Sequence, residues 1–420
     1  MSQRRAHPFI FMFLITPFGV MSGYLTVAIA FLLARNGVGV EAIAALIAVA
    51  YAPNVVKFLW APVVDTTFNS KTWYMISSVL TALGIFASGV MPMRTASLPV
   101  LTVITLVANV AATFLGMSTE SLMAYGVPEE QKGRAGGWFQ AGNLGGGGIG
   151  GGLGLFLAQR LPAPWMPGAI LATLCLACAI GLLFVHEPKH ERAHGVVQGV
   201  KFVARDIWNL ARARMGFMAL FLCFLPIGSG AASNLWSAIA SDWKASADAV
   251  AMVTGVVGGF VMAFGSVTGG WICDRMNRKA AYALYGVLQA LAAVGMALTP
   301  RTEQQYILWT TVYAFITGLT YAGFSAFVLE AMGQGAAATK FSLFASLSNF
   351  PIWYMTKIDG HAHTLWGPGG LLFTEAAVGM LGLVLFLLFT AAVRAWWPAR
   401  WPQHVDETVL AEPPEVVTGA

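Results

Sequence analysis

Apolar stretches long enough to cross a bilayer recur twelve times in this chain, at 8–34, 40–64, 73–92, 98–124, 136–158, 165–185, 215–240, 247–272, 279–298, 305–331, 339–357 and 369–393. A transmembrane helix needs about 20 consecutive, mostly apolar residues. Inside a bilayer every backbone N–H and C=O must be satisfied within the structure, which leaves only helices or a closed barrel. Runs of this length fit helices. The expected fold is therefore an all-α membrane protein of twelve spans. Only 10% of the residues are charged, against about 25% in soluble domains, and this excludes an ordinary soluble enzyme. The first run follows Arg4 and Arg5, as in a secretory signal, but at about 26 residues it exceeds the 7–15 residues or so of a signal's apolar region. It reads as a retained first span.

Basic residues orient the spans. An even number of spans puts both termini on one side of the membrane. Seventeen lysines and arginines fall on that side, six on the other, and Lys57 lies within a span. Because positive loops stay inside, both termini are expected in the cytoplasm of a bacterial cell, with the chain multi-pass in its inner membrane. The net charge of +5 reflects this asymmetry and implies no nucleic-acid partner. Cys175, Cys178, Cys223 and Cys273 all fall in or at the ends of spans and read as small buried apolar groups.

A repeat appears at an offset of about 209 residues. Span two ends in Ala61-Pro-Val-Val-Asp65 and span eight in Gly270-Trp-Ile-Cys-Asp274; Glu120 near the end of span four corresponds to Glu330 near the end of span ten. Four units follow: a six-helix bundle over 1–185, a cytoplasmic linker over 186–214, a second six-helix bundle over 215–394, and a disordered cytoplasmic tail over 395–420. In the linker, Val200, Val203, Ile207 and Leu210 share one helix face against Lys201, Arg205 and Arg212, as in a helix lying on the inner leaflet.

Residues 141–156, AGNLGGGGIGGGLGLF, hold nine glycines. A phosphate loop would need a preceding strand and a GK[ST] ending, and a linker would be polar. An apolar span this rich in glycine is instead one that lets another backbone approach closely. Gly146, Gly150 and Gly154 recur every fourth residue, and span eight carries Gly255 and Gly259 among others. The expectation is that these two spans pack on each other across the two halves.

The second-half loop GGWICDRMNRK resembles the GxxxDRxGRR/K signature of the major facilitator superfamily. Gly270, Asp274, Arg275, Arg278 and Lys279 match, and Asn277 replaces a glycine. The resemblance implies two pseudo-symmetric six-helix bundles with the substrate between them near the midplane. It also implies a cytoplasmic gate at Asp65, Gly270, Asp274, Arg275, Arg278 and Lys279. In that gate Asp274 caps the neighbouring helix and pairs with arginine.

Three further segments resemble the muropeptide permease and acetyl-CoA transporter family, AmpG-like members and related siderophore-uptake carriers included. FLWAPVVD at 58–65, preceded by Lys57, resembles that family's KFLWxPxxD. STESLMAYGVPEEQKGRAG at 118–136 resembles TDAxxxDxLPxEERGxxxG, with Glu120 at the first acidic position and Ala124 and Tyr125 where the second would be. Residues 326–350 resemble the family's ATxxSLxxSL segment. The chain lacks the two central spans that the larger muropeptide permeases add.

An ionisable residue inside a span costs roughly 2.5–3.5 kcal/mol on insertion scales and is a functional candidate by default. Glu120 and Glu330 are the candidates for proton coupling. Lys57 lies about 12 Å into the membrane from Asp65 by helix rise, placed to hold an anionic substrate group or to pair with Glu120. Tyr24, Asn54, Asn109, Asn234, Trp236, Gln289, Tyr321, Asn349 and Trp353 are the polar and aromatic candidates for the cavity wall. Glu375, about two turns into span twelve, reads as a snorkelling side chain. His186-Glu-Pro-Lys-His190 matches HExxH, but Pro188 breaks the helix that a zinc protease needs. Asp359-Gly-His361-Ala-His363 reads as a short outer turn with too few ligands for a metal. No metal, cofactor or enzymatic site is expected; the driving force is a proton gradient.

The function read from the sequence is proton-coupled import of an amphiphilic, anionic small molecule, such as a muropeptide or siderophore, by a monomer working through alternating access. A proton-coupled exporter on the same fold, or a membrane sensor that no longer transports, remain the alternatives.

Overall fold

The computed structural model describes residues 7–60, 63–64, 67–127, 129–185, 214–273, 275–332 and 343–396, with residues 205, 208 and 212 singly. Helix dominates, and no strand occurs among the described residues. The first half contains Ile10–Arg35, Val40–Leu59, Ser70–Val90 and Leu98–Gly126, then residues 129–160 as one interrupted helix, then Met166–Phe184. The second half contains an interrupted seventh span over 214–243, then Ala247–Cys273, Arg278–Leu298 and Glu303–Met332. Asn349–Trp396 supplies spans eleven and twelve, folded back at Gly367 (φ 70°, ψ −169°) ahead of Pro368. Large apolar side chains such as Leu183, Phe260, Val267 and Leu298 face outwards. In water that surface would be an aggregation liability; in hydrocarbon it is the expected exterior. The four cysteines are buried and unbridged.

Three spans carry a wider helical turn. Tyr24–Ile29 in span one, Ile149–Leu153 in span five and Ala251–Val256 in span eight are π-helical, a form common at functional sites. The three segments meet where the halves touch. A Cβ on Gly151 would strike Val27 of span one, and one on Gly152 would lie 2.8 Å from the Ala251 carbonyl oxygen of span eight.

The glycine run packs differently from expectation. Cβ atoms on Gly146 and Gly150 would land on the Thr16 and Val20 carbonyls of span one, and one on Gly154 would lie 3.0 Å from the Tyr24 ring. That stripe therefore lies against span one, inside its own half. Contact with span eight runs through the next face: a Cβ on Gly148 would lie 3.3 Å from the Gly255 oxygen, one on Gly255 would strike Gly152, and one on Gly259 would lie 3.5 Å from the Leu144 oxygen. With nine glycines between residues 141 and 156, span five is narrow on two faces and serves both neighbours.

Span seven is not continuous. Gly228 (φ +57°) and Gly230 (φ +69°) break it after Pro226. The freed carbonyls are satisfied from neighbouring spans: Tyr282 Oη donates to Ile227 O at 2.9 Å and Tyr354 Oη to Phe224 O at 3.0 Å. Irregular backbone at membrane depth is tolerated only when protein groups satisfy it in this way. Span eleven also departs from expectation. It runs as helix through 359–363, so Asp359, His361 and His363 lie on a helix and not in a turn.

Candidate functional site

Span two ends in a 3-10 turn, Lys57–Leu59, which swings Lys57 and Trp60 towards span four. Trp60 Nε1 donates to Thr113 Oγ1 at 3.2 Å, and its ring stacks parallel to Phe114. This seats Lys57 Nζ 3.9 Å from Glu120 Oε1, with side-chain exposures of 16% and 38%. The pair is loose and partly open. An exposed ion pair contributes only about 0–1 kcal/mol, so either partner is readily exchanged for another ion.

The expected cavity residues fall into three groups. Asn349 bridges the halves: its Oδ1 accepts from Tyr51 Oη at 3.0 Å, and its Nδ2 donates to Asn54 O at 3.4 Å. Trp353 and Tyr321 lie on the second half, Trp353 beneath the Lys357 ammonium at 4.9 Å. Tyr321 is 45% exposed and lines a small open cleft with Ile227, Ser229, Thr320 and Ile352. The others are packed interior. Tyr24 is wedged beside Gly89 and Gly154. Asn109 donates back to its own helix at Thr105 O. Asn234, Trp236 and Gln289 are held by Thr356, Tyr313 and Thr317 inside the second half. Tyr24, Asn109, Trp236 and Gln289 therefore do not line an open cavity, because packing has already used the faces that substrate would need.

On the opposite side the halves are latched. Glu41 of span two accepts from His361 Nδ1 of span eleven across 2.8 Å, and Arg160 reaches Asp248 at 3.4 Å. Beneath the first pair, Gly360 presses on Ala44 and Glu41 so closely that no side chain would fit. His363 holds Asp242 within the second half at 2.8 Å.

Of the gate residues, Asp65 and Asp274 lie outside the described residues. Arg275 donates to Trp271 O at 3.0 Å and sits over its ring. Arg278 and Lys279 begin span nine, and the space around Gly270 is open. Span nine is capped by Asn277, whose Oδ1 accepts from the Lys279 and Ala280 backbone N–H groups. Asn69 caps span three in the same way, through Thr72 N at 2.7 Å, so the repeat extends to its helix caps. The Glu330 side chain, the HExxH stretch, residues 186–213 of the linker apart from 205, 208 and 212, and residues 397–420 of the tail also lie outside the described residues.

Sequence reasoning missed the groups around Glu375. That side chain does not snorkel. It is 5% exposed; its Oε1 accepts from Tyr313 Oη at 2.7 Å and from Ser229 Oγ at 3.3 Å. Asp359, fully buried, lies beside it. The signal was present in Pro226-Ile-Gly-Ser-Gly230, since a glycine- and proline-interrupted span is the usual pointer to a transporter's site.

The pattern of the Major Facilitator Superfamily matches residues 9–354. The chain belongs to that superfamily. It is a multi-pass membrane transporter and not an enzyme. It is similar to the anhydromuropeptide permease of Escherichia coli (strain K12), with 23% identity over 353 residues, 80% of this chain and 70% of the permease. Solved structures of like fold include the nucleoside transporter NupG (TM-score 0.68, 14% identity, 91% of this chain and 98% of that one). The D-xylose-proton symporter is another (0.66, 15%, 90% and 97%). A POT family transporter in complex with a thioalcohol-conjugated peptide is a third (0.69, 9%, 92% and 96%). The twelve-span, two-bundle architecture read from the sequence is therefore the fold of this transporter, and small molecules are its cargo.

Proposed function

We propose that the transporter is a proton-coupled symporter. It imports an amphiphilic, anionic small molecule of the muropeptide type across the bacterial inner membrane, with both termini cytoplasmic and one chain as the working unit. The observation that carries this reading is the Lys57–Glu120 pair. A carboxylate on the cargo and the Glu120 carboxylate are rivals for one ammonium group. When Glu120 takes a proton it releases Lys57, and Lys57 then accepts the anion; when cargo leaves, Glu120 loses its proton and closes the pair again. Proton and anion thus load together, which is symport. The similarity to an anhydromuropeptide permease supports the cargo class, and a siderophore is the second class to test. The inter-half contacts through Glu41–His361 and Arg160–Asp248 fit a state closed to the outside, in which cargo exchanges with the cytoplasm.

The test is Glu120→Gln in sealed proteoliposomes. The variant is expected to bind labelled anhydromuropeptide but to show no accumulation driven by a proton gradient. Equal accumulation by variant and wild type removes Glu120 from the coupling. Net efflux of the same compound, driven by the same gradient, would favour an exporter.

A further inference from the structure

Spans eleven and twelve form an antiparallel hairpin about Gly367. Asp359 stands eight residues before the turn and Glu375 eight residues after it. At 1.5 Å rise per residue both lie about 12 Å from the turn, at one depth on adjoining helices. Their carboxyl groups face each other across the hairpin. Asp359 is 0% exposed and Glu375 5%. Both oxygens of Asp359, and Oε2 of Glu375, lack any donor from the protein. Among the described residues no lysine, arginine or histidine forms an ion pair with either.

Two ionised carboxylates in this position would repel each other at short range with little screening. We propose that Asp359 and Glu375 hold a single proton between them and form a proton-binding site in the second half of the transporter.

The surroundings are made for one proton rather than for a metal cation. Span ten contributes Tyr313, buried and donating to Glu375; span seven contributes Ser229, from the broken segment. Span nine contributes Gln289, 2% exposed, whose Nε2 donates to Thr317 Oγ1 at 3.1 Å and whose Oε1 has no partner. The other titratable groups nearby are Tyr354, which faces Glu375 from span eleven, and His363, one turn beyond Asp359, which is engaged by Asp242. Among the described residues the Tyr313 and Ser229 hydroxyls both donate to Glu375 Oε1, and the remaining oxygens are left to the proton. Ser229 also lines the cleft beside Tyr321, so one hydroxyl separates the site from that cleft. Losing the proton would place two facing charges in the seam of spans seven, ten, eleven and twelve and force them apart. Proton occupancy thereby biases the packing of the half that carries His361, the outer contact to span two. The inference deepens the symport reading and rests on it only for transport; the protonation itself is tested separately.

The experiment is infrared difference spectroscopy of the purified, reconstituted transporter across a pH titration, in sodium and in choline buffer. The wild type is expected to show a buried protonated-carboxyl band at neutral pH in both buffers. Asp359→Asn and Glu375→Gln are each expected to lose it, and Tyr313→Phe to keep it at a shifted frequency. Tyr313→Phe leaves both acids in place and serves if the amide variants fail to fold. Absence of the band from the wild type, its persistence in both amide variants, or its displacement by sodium overturns the proposal. In proteoliposomes Asp359→Asn is expected to retain exchange without a gradient and to lose gradient-driven accumulation. If no offered compound is accumulated by the wild type, the cargo reading fails, while the infrared result still decides the proton site.

Discussion

Gly150→Ala adds one methyl group where span five crosses span one. Its Cβ would overlap the Val20 carbonyl oxygen and lie 2.7 Å from the carbonyl carbon and 2.8 Å from Cα. All three are backbone atoms, so no rotamer change relieves the clash, and the two helices must separate. Overpacking of this kind costs about 1–3 kcal/mol, and the rigid partner places this site in the upper part of that range. Alanine returns up to about 1 kcal/mol in helix propensity. The net destabilisation is about 1–2 kcal/mol, which for a unit of this size lowers Tm by roughly 2–8 °C. Gly145→Ala, five residues earlier, meets nothing within 4 Å and keeps only the propensity gain. Thermal unfolding of both variants in detergent makes the comparison within one helix. A Gly150→Ala protein as stable as wild type, or a Gly145→Ala protein that falls as far, would refute the packing argument.

Asn277→Ala removes the acceptor for two backbone donors at the start of span nine and is expected to cost about 1 kcal/mol, read as a drop in Tm; Asn277→Gly, which restores the superfamily's residue, should cost only a few tenths. Glu41→Gln together with Asp248→Asn removes both ionic contacts between the halves at the closed face. Each pair is exposed and contributes about 0–1 kcal/mol. Labelling of a cysteine introduced at the outer end of span two, by a membrane-impermeant thiol reagent, should therefore rise by no more than about thirtyfold at 1.4 kcal/mol per decade. Unchanged labelling would mean that the Gly360–Ala44 contact holds the face closed alone.

The architecture was legible because bilayer thickness and backbone satisfaction act on composition over whole spans, and the repeat of Asp65 with Asp274 and Glu120 with Glu330 marked the two halves. The Lys57–Glu120 approach was also foreseeable, since both lie near the cytoplasmic ends of neighbouring spans. What the sequence concealed depends on helix rotation. Glycine spacing identifies a narrow helix but not which neighbour each face meets, so the Gly146–Gly150–Gly154 stripe was assigned to span eight when it rests on span one. Polar residues such as Gln289 and Asn234 look the same in a string whether they line a cavity or satisfy one another in a core. Asp359 looked like part of a polar turn because Gly360 and two histidines follow it; the helix continues through them, and that places the carboxyl group beside Glu375.

The central claim is proton-driven import, and uptake into sealed proteoliposomes under an imposed proton gradient tests it most directly, with labelled anhydromuropeptide and labelled siderophore offered in parallel. The account predicts accumulation of one of them above the equilibrium level, collapsing when a protonophore is added. Accumulation that survives the protonophore, or equilibration without accumulation in oriented, sealed vesicles, would contradict it.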